Sequence, residues 1–229
     1  MSLKIVIQDA AEHVFATHGF EGTSMRLIAE RAGVAQALLH YHFKNKASLY
    51  ASLFERRSSP VNTGRLRHLD ALLKKKESPT LEDILESMLL PPATVGRDHG
   101  GDYAMYQQLV TALSFSTDPR SKALMVRYYD PIAQRFILEF QKAVPGLSKA
   151  ASVWSYLFAL GARHQAQATT ARSERLLTRE NAKGGTNASA MLLPFVAAGI
   201  RALARTPQTS HGKRQAKTTT TDRRAKRGC

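Results

Sequence analysis

The chain has 229 residues, of which 43% are apolar and 22% are charged, so it can bury a core and is not a disordered polyelectrolyte. Its formal net charge of +15 predicts a polyanionic partner, either nucleic acid or an anionic membrane surface. The single cysteine, Cys229, excludes a disulfide framework within the chain and fits a reducing cytoplasm.

The positive charge is unevenly distributed. Residues 206–229 hold seven basic side chains and one acidic side chain. Residues 57–205 hold twenty basic and twelve acidic side chains, and residues 1–56 hold six basic and five acidic ones. The first residues lack the apolar core and cleavage site of a signal peptide. No stretch reaches the roughly 18 apolar residues of a membrane span. We therefore expect a cytoplasmic protein with no membrane partner.

The N-terminal part of the chain predicts four helices. Residues 3–18 place apolar side chains on one face, and Gly19 follows as a C-terminal stop. Thr23 and Ser24 offer N-cap hydroxyls to a short second helix. A third helix is expected over residues 35–42, and Asn45 can cap the fourth.

The second and third helices have the construction of a helix-turn-helix, because Gly33 separates them and their apolar residues can share one small core. The core residues are Leu27, Ile28, Ala29, Val34, Leu39 and Phe43. The third helix would then project the rest of its side chains outward, and its N-terminal end would meet base edges in a major groove. The first fifty-odd residues therefore predict sequence-specific binding to DNA.

Beyond this region, Ser58, Ser59 and Pro60 predict a break in the helical pattern and a domain boundary. Pro131 predicts a kink or a break within a later helical segment, and residues 172–187 are expected to form a loop. The later helical segments are expected at about 62–76, 81–90, 103–116, 120–143, 149–171 and 188–205.

After Arg205 almost no apolar residue remains, so residues 206–229 are expected to be disordered. The basic tail has two interpretations. It adds salt-dependent, non-specific affinity for DNA, which we favour, or it is a solvated segment with little effect.

A series of residues between positions 5 and 55 fits one known pattern. Its members are Phe15, Gly19, Phe20, Thr23, Ile28-Ala29, Ala32-Gly33-Val34, Leu39-His40-Tyr41-His42-Phe43 and Lys46. Taken together, they resemble the TetR family of bacterial transcriptional regulators. The resemblance implies an all-α fold with a three-helix helix-turn-helix domain over residues 1–57. It also implies a helical ligand-binding and dimerisation domain over residues 58–205, followed by the tail.

The chain departs from the family pattern at three positions. Ala35 replaces a common serine, which removes a hydroxyl cap from the recognition helix, and Ala37 stands where glycine or another small residue is frequent. His40 replaces the usual tyrosine, so a histidine would have to supply the hydrogen bond that this tyrosine makes to phosphate.

The resemblance also implies which residues contact DNA. Gln36, Ala37 and Leu38 would face bases, where glutamine pairs with adenine and is worth about 1–3 kcal/mol of discrimination. The alternative for Gln36 is a solvated surface amide. The alternative for Tyr41 and His42 is that they only pack beneath the recognition helix. For His42, packing and contact with phosphate have equal weight. The expected phosphate-binding residues are Thr23, Ser24, Arg26, His40, Tyr41 and Lys46.

The later helices resemble the family only loosely, and the resemblance implies a homodimer formed through the last two long helices. Alanine and glycine are frequent in residues 151–168 and 188–204, as close helix packing in a dimer requires, although ordinary packing within one chain has the same appearance. The candidate residues of an effector pocket are Tyr103, Tyr106, Gln107, Phe115, Tyr128, Trp154, Phe158 and His164. Each of them can equally be plain core.

The basic excess of residues 57–205 suggests an anionic effector, such as an acyl thioester or an organic acid. The histidines do not cluster with zinc spacing, so no metal site is expected. We find no catalytic triad and no phosphate-binding loop, and Cys229 lacks ordered neighbours that would lower its pKa. We therefore expect no enzyme and no cofactor.

These observations predict a dimeric repressor that a small-molecule effector releases from a palindromic operator. The sequence is also compatible with an activator of transcription, or with a ligand that acts as corepressor. Two alternatives from other classes are a non-specific architectural DNA-binding protein and a helical enzyme with a DNA-binding head.

Overall fold

A computed structural model of the protein describes residues 2–89, 103–168, 175–176 and 188–205. Every regular element within these ranges is an α-helix, so the predicted fold class is confirmed. The helices are α1 (Leu3–His18), α2 (Met25–Ala32), α3 (Gln36–His42), α4 (Lys46–Lys75), α5 (Leu81–Leu89), α6 (Tyr103–Phe115), α7 (Pro119–Tyr128), α8 (Asp130–Ala143), α9 (Lys149–Ala168) and α10 (Ala188–Arg205).

The predicted break at Ser58–Pro60 is wrong, because α4 continues through Pro60. A proline inside a helix costs about 3 kcal/mol, but α4 is anchored on both sides of it. Leu53 and Phe54 are fully buried before Pro60, and Leu69 is fully buried after it. The division into domains at residue 57 therefore falls inside a helix and stays a prediction.

The break predicted near Pro131 is confirmed, since α7 ends at Tyr128 and α8 begins at Asp130. Asp118 caps α7 by accepting a hydrogen bond from the backbone N–H of Arg120 at 3.3 Å, and Pro119 takes the first helical position. The chain thus turns where a proline lies in the first turn of each of two consecutive helices.

Two buried clusters form the core. The first contains the apolar faces of α1 to α3 and the N-terminal half of α4, and α6 and α7 contribute Tyr106, Leu109, Leu113 and Leu124 to it. The second joins Leu69 of α4 to α5, α8, α9 and α10. Because α4 contributes to both clusters, it connects the helix-turn-helix to the rest of the protein.

A cluster of charged residues, which we call the Glu12 cluster, joins α1 to α4. The buried carboxylate of Glu12 accepts hydrogen bonds from Arg57 Nε at 2.9 Å and from Arg56 Nη2 at 3.2 Å. Asp9 accepts a further bond from Arg56 at 2.6 Å. The cluster fixes α1 against the helix that continues into the second core.

Among the helices that the structure describes, none is both long and apolar enough to cross a bilayer. The predicted loop over residues 172–187, apart from 175–176, and the predicted disorder of residues 206–229 lie outside the described residues.

Candidate DNA interface and ligand cavity

The helix-turn-helix consists of α2, α3 and the turn between them. Gly33 adopts the left-handed conformation with φ of 66°, and the next backbone N–H, of Val34, donates to the carbonyl of Ala29 at 3.1 Å. Ile28, Ala29, Leu39 and Phe43 are buried, and Leu27 and Val34 pack against them at the edge. The predicted small core is confirmed, and it holds α3 at a defined angle to α2.

The outward face of α3 is free of packing. Gln36, Ala37, Leu38, His40 and Tyr41 are all exposed, and Tyr41 exposes 83% of its surface. Gln36 Nε2 lies 3.5 Å from His40 Nε2, one turn further along the helix. Ala35 makes no side-chain cap, as its lack of a hydroxyl predicts. The helix therefore presents polar side chains, together with those of Ala37 and Leu38, to solvent.

The residues at the start of α2 divide into two kinds. Ser24 is exposed and caps α2 by accepting from the Leu27 N–H at 3.1 Å, and exposed Arg26 pairs with Glu30 at 2.7 Å. Thr23 is only 3% exposed, and its hydroxyl donates to the carbonyl of Gly19 at 2.6 Å. The hydroxyl of Thr23 is thus engaged inside the protein, which argues against its predicted contact with phosphate.

Lys46 has an internal partner that the sequence did not indicate. Its Nζ donates to the carbonyl of Phe20 at 2.7 Å and to that of Thr23 at 2.9 Å, and it lies 4.4 Å from the centre of the Phe20 ring. An ammonium group has three donors, so one N–H remains for a phosphate. His42 is half-buried, with its ring against Tyr41 and Phe43.

The sequence also did not indicate a contact between α7 and the loop that joins α1 to α2. Arg120, at the start of α7, pairs with Glu21 at 2.9 Å, and its guanidinium carbon lies 4.0 Å from the centre of the Phe20 ring. No local pattern predicts this contact, because the two partners are 99 residues apart in the chain.

A cavity of about 790 Å³ lies among α4 to α9, and its walls are mostly apolar. This volume lies within the range that small-molecule sites occupy. A neighbouring cavity of about 20 Å³ shares part of its wall. The polar residues that line the larger cavity are Asn62, Arg65, Ser114, Tyr129, Asp130, Gln134, Tyr156, Arg163 and His164.

Most of the residues predicted for a pocket lie at these cavities. Phe115, Trp154, Phe158 and His164 line the larger one, and Tyr106, Gln107 and His164 line the smaller one. Tyr128 lines neither and packs at the edge of the first core. The side chain of Tyr103 lies outside the described residues. The sequence missed Arg65, because an arginine on a long helix ordinarily faces solvent.

The cavity strongly perturbs a histidine and a tyrosine. Burial, together with the nearby Arg163 and Arg65, lowers the pKa of His164 to about 4. Burial raises the pKa of Tyr129 well above its usual value, and its hydroxyl lies 2.7 Å from that of Tyr106. At neutral pH His164 is therefore uncharged, and the positive charge of the cavity is carried by Arg65 and Arg163.

Replacing His164 with glutamine is expected to make the stability of the protein less sensitive to acid. An unfolded histidine titrates near pH 6.5, whereas folded His164 takes up a proton only near pH 4. Between these values the unfolded state binds more protons, so stability falls as the pH falls. After allowance for solvent screening, we expect the wild type to lose about 1 kcal/mol more than the variant between pH 7 and pH 5.

Urea unfolding at several pH values measures this difference, with His68→Gln at an exposed position of α4 as the control. Parallel stability curves for the wild type and His164→Gln would contradict the interpretation.

The outer faces of α9 and α10 expose large apolar side chains at helical spacing. On α9 these are Trp154, Leu157 and Phe158, which also line the larger cavity, and on α10 they are Met191 and Phe195. Phe195 is 73% exposed. Monomeric proteins rarely expose a contiguous apolar surface of this kind, so the two helices form a candidate protein interface. We call it the α9–α10 face.

Two family models match the chain. One, described as "Bacterial regulatory proteins, tetR family", covers residues 7–53, and the other, "Tetracyclin repressor-like, C-terminal domain", covers residues 86–199. Together they include more than half of the chain.

Individual relatives match over a short part of the chain. The HTH-type transcriptional activator FasR of Mycolicibacterium smegmatis is 36% identical over 55 residues, which are 24% of this chain and 25% of FasR. The HTH-type transcriptional regulator AcrR of Shigella flexneri is 37% identical over 60 residues, 26% of this chain and 27% of AcrR. The chain thus matches these curated relatives over about a quarter of their length.

A solved structure with a similar fold is the transcriptional regulator FadR of Bacillus subtilis in complex with stearoyl-CoA. Its TM-score is 0.53 at 17% identity, and the alignment covers 87% of this chain and 98% of FadR. At this level of identity the likeness shows a shared fold.

Proposed function

Since the chain belongs to the TetR family of bacterial DNA-binding transcriptional regulators, we propose that it is a dimeric repressor that a small molecule releases from a palindromic operator. The observation that carries this proposal is the exposed face of α3, which a buried core supports from behind. Gln36 would pair with adenine, and Ala37 and Leu38 would contact thymine methyl groups. Ser24, Arg26, His40 and Tyr41 would hold phosphates.

The α9–α10 face supports the dimer. Packing two copies of it together would bury Trp154, Phe158 and Phe195 and would form a four-helix interface. A twofold axis through this interface would place two copies of α3 in successive major grooves, about 34 Å apart. An operator with two inverted half-sites is the expected partner.

The course of α4 supports control by a ligand. This helix starts in the helix-turn-helix at Lys46 and reaches the cavity at Asn62 and Arg65. Asn62 Nδ2 donates to the carbonyl of Tyr128 at 2.6 Å, so α4 is also tied to the end of α7. A bound effector would favour the conformer to which it binds more tightly, and if that conformer spaces the recognition helices wrongly, the operator is released. The complex of FadR with stearoyl-CoA supports a ligand role for the cavity here.

The test of the DNA-binding face is the variant Gln36→Ala. We expect it to lose about 1–3 kcal/mol of discrimination at one base pair of each half-site, because its bidentate contact is lost. The loss of discrimination is measured by selecting bound sequences from a randomised duplex library. The affinity of each variant for the selected sites is then determined. Gln108→Ala, at an exposed position of α6, is the matched control.

A wild-type protein that selects no palindromic site would contradict the proposal. So would a Gln36→Ala variant that selects the same site with unchanged preference at every position.

A further inference from the structure

The chemistry of the larger cavity identifies a class of effector, and this inference rests on the proposed function. The cavity carries two arginines, Arg65 from α4 and Arg163 from α9, in walls that are otherwise mostly apolar. Arg163 is buried, and its Nη1 lies 3.5 Å from the carbonyl of Met88, the acceptor of its hydrogen bond. Arg65 is half-buried.

Arg65 lacks an anionic partner in the part of the chain that the structure describes. No carboxylate there lies within ion-pair distance of its guanidinium, and its buried Nε donates to no acceptor. A buried donor without an acceptor is unfavourable. The guanidinium of Arg65 therefore has hydrogen-bonding capacity that the described residues do not use.

The other titratable groups of the cavity do not replace that anion. Asp130 is exposed in the first turn of α8, where the helix dipole and solvent already stabilise its charge. The lowered pKa of His164 keeps this residue neutral. The cavity therefore has two positive charges and one negative charge, which a ligand with a single negative charge would balance.

The positions of the residues also divide the cavity into two ends. Arg65, Tyr129, Arg163 and His164 belong to the wall that the larger cavity shares with the smaller one. Trp154 lines only the larger cavity. Trp154 and Arg163 are nine positions apart on α9, which corresponds to a rise of roughly 14 Å along the helix axis between their backbone positions.

We propose that the cavity binds an amphipathic carboxylate whose head group lies against Arg65 and whose apolar chain extends toward Trp154. A planar guanidinium matches the geometry of a carboxylate, and the hydrogen bonds would be charge-assisted. The apolar walls supply the remaining affinity through burial of the chain.

The experiment compares three probes that share a ten-carbon chain and differ in the charge of the head group: decanoate, decanol and decylamine. Calorimetric titration into the full-length protein measures binding, and fluorescence of Trp154, the one tryptophan of the chain, gives a second readout. We expect decanoate to bind at least tenfold more tightly than decanol, and decylamine to bind weakest.

The variant Arg65→Met tests the role of the guanidinium. We expect its affinity for decanoate to fall at least tenfold and its affinity for decanol to stay within about twofold. Arg67→Met, two positions further along α4 and exposed, is the matched control and should bind all three probes as the wild type does. If Arg65→Met fails to fold, Arg65→Gln and Arg65→Lys take its place, and only the lysine variant should keep the preference for decanoate.

Equal binding of decanoate and decanol, or wild-type affinity for decanoate in Arg65→Met, would overturn the assignment. Binding is measured here without DNA, so the result is separate from that of the proposed function. Failure of the proposed function would show as a protein that selects no operator, or as an operator complex that no ligand dissociates.

Discussion

Replacing Glu12 with alanine is expected to destabilise the protein by about 3 kcal/mol, because the substitution removes a buried carboxylate and leaves the cations around it. Arg57 is buried and donates to Glu12 from two of its nitrogens, at 2.9 Å and 3.3 Å, and Arg56 donates to it at 3.2 Å. Asp9, at 3.7 Å from Arg57, compensates only in part. The loss should exceed that of any exposed ion pair.

Urea unfolding monitored by circular dichroism measures the change. Glu30→Ala is the control, since its pair with Arg26 is exposed and should contribute less than about 1 kcal/mol. A Glu12→Ala variant as stable as Glu30→Ala would show that the Glu12 cluster does not hold α1 to α4. Since α1 supports the helix-turn-helix, affinity for the operator should fall together with stability.

Replacing Phe195 with aspartate is expected to convert the proposed dimer into a monomer and to weaken operator binding at least a hundredfold. Phe195 exposes 73% of its surface on the α9–α10 face, where an aspartate would place two like charges near the twofold axis. A monomer holds one half-site, and it loses the gain of 10²–10⁴-fold that linking two sites provides.

Sedimentation velocity measures the oligomeric state, and titration of the operator duplex measures the affinity. The control is Val126→Asp, which places the same charge at an exposed apolar position of α7, outside the α9–α10 face. A Phe195→Asp variant that remains dimeric, or that binds the operator as the wild type does, would place the interface elsewhere.

Local features of the sequence predicted much of what the structure shows. The apolar face of α1, the glycine at the turn before α3 and the proline at the break between α7 and α8 act within a few residues of where they stand. Such signals depend on backbone geometry and capping, which the neighbouring residues determine. The resemblance of residues 5–55 to one family followed from the same local pattern, and the family models agree with it.

The tertiary structure alone decided where the remaining residues act. Pro60 lies inside a helix because Phe54 and Leu69 are anchored in different cores, and Lys46 binds the carbonyls of Phe20 and Thr23, more than twenty residues away. Arg65 reaches the cavity wall that Arg163 also lines, although nearly a hundred residues separate them. These contacts depend on how whole helices pack, and helix packing depends on burial summed over the molecule, which no local pattern records.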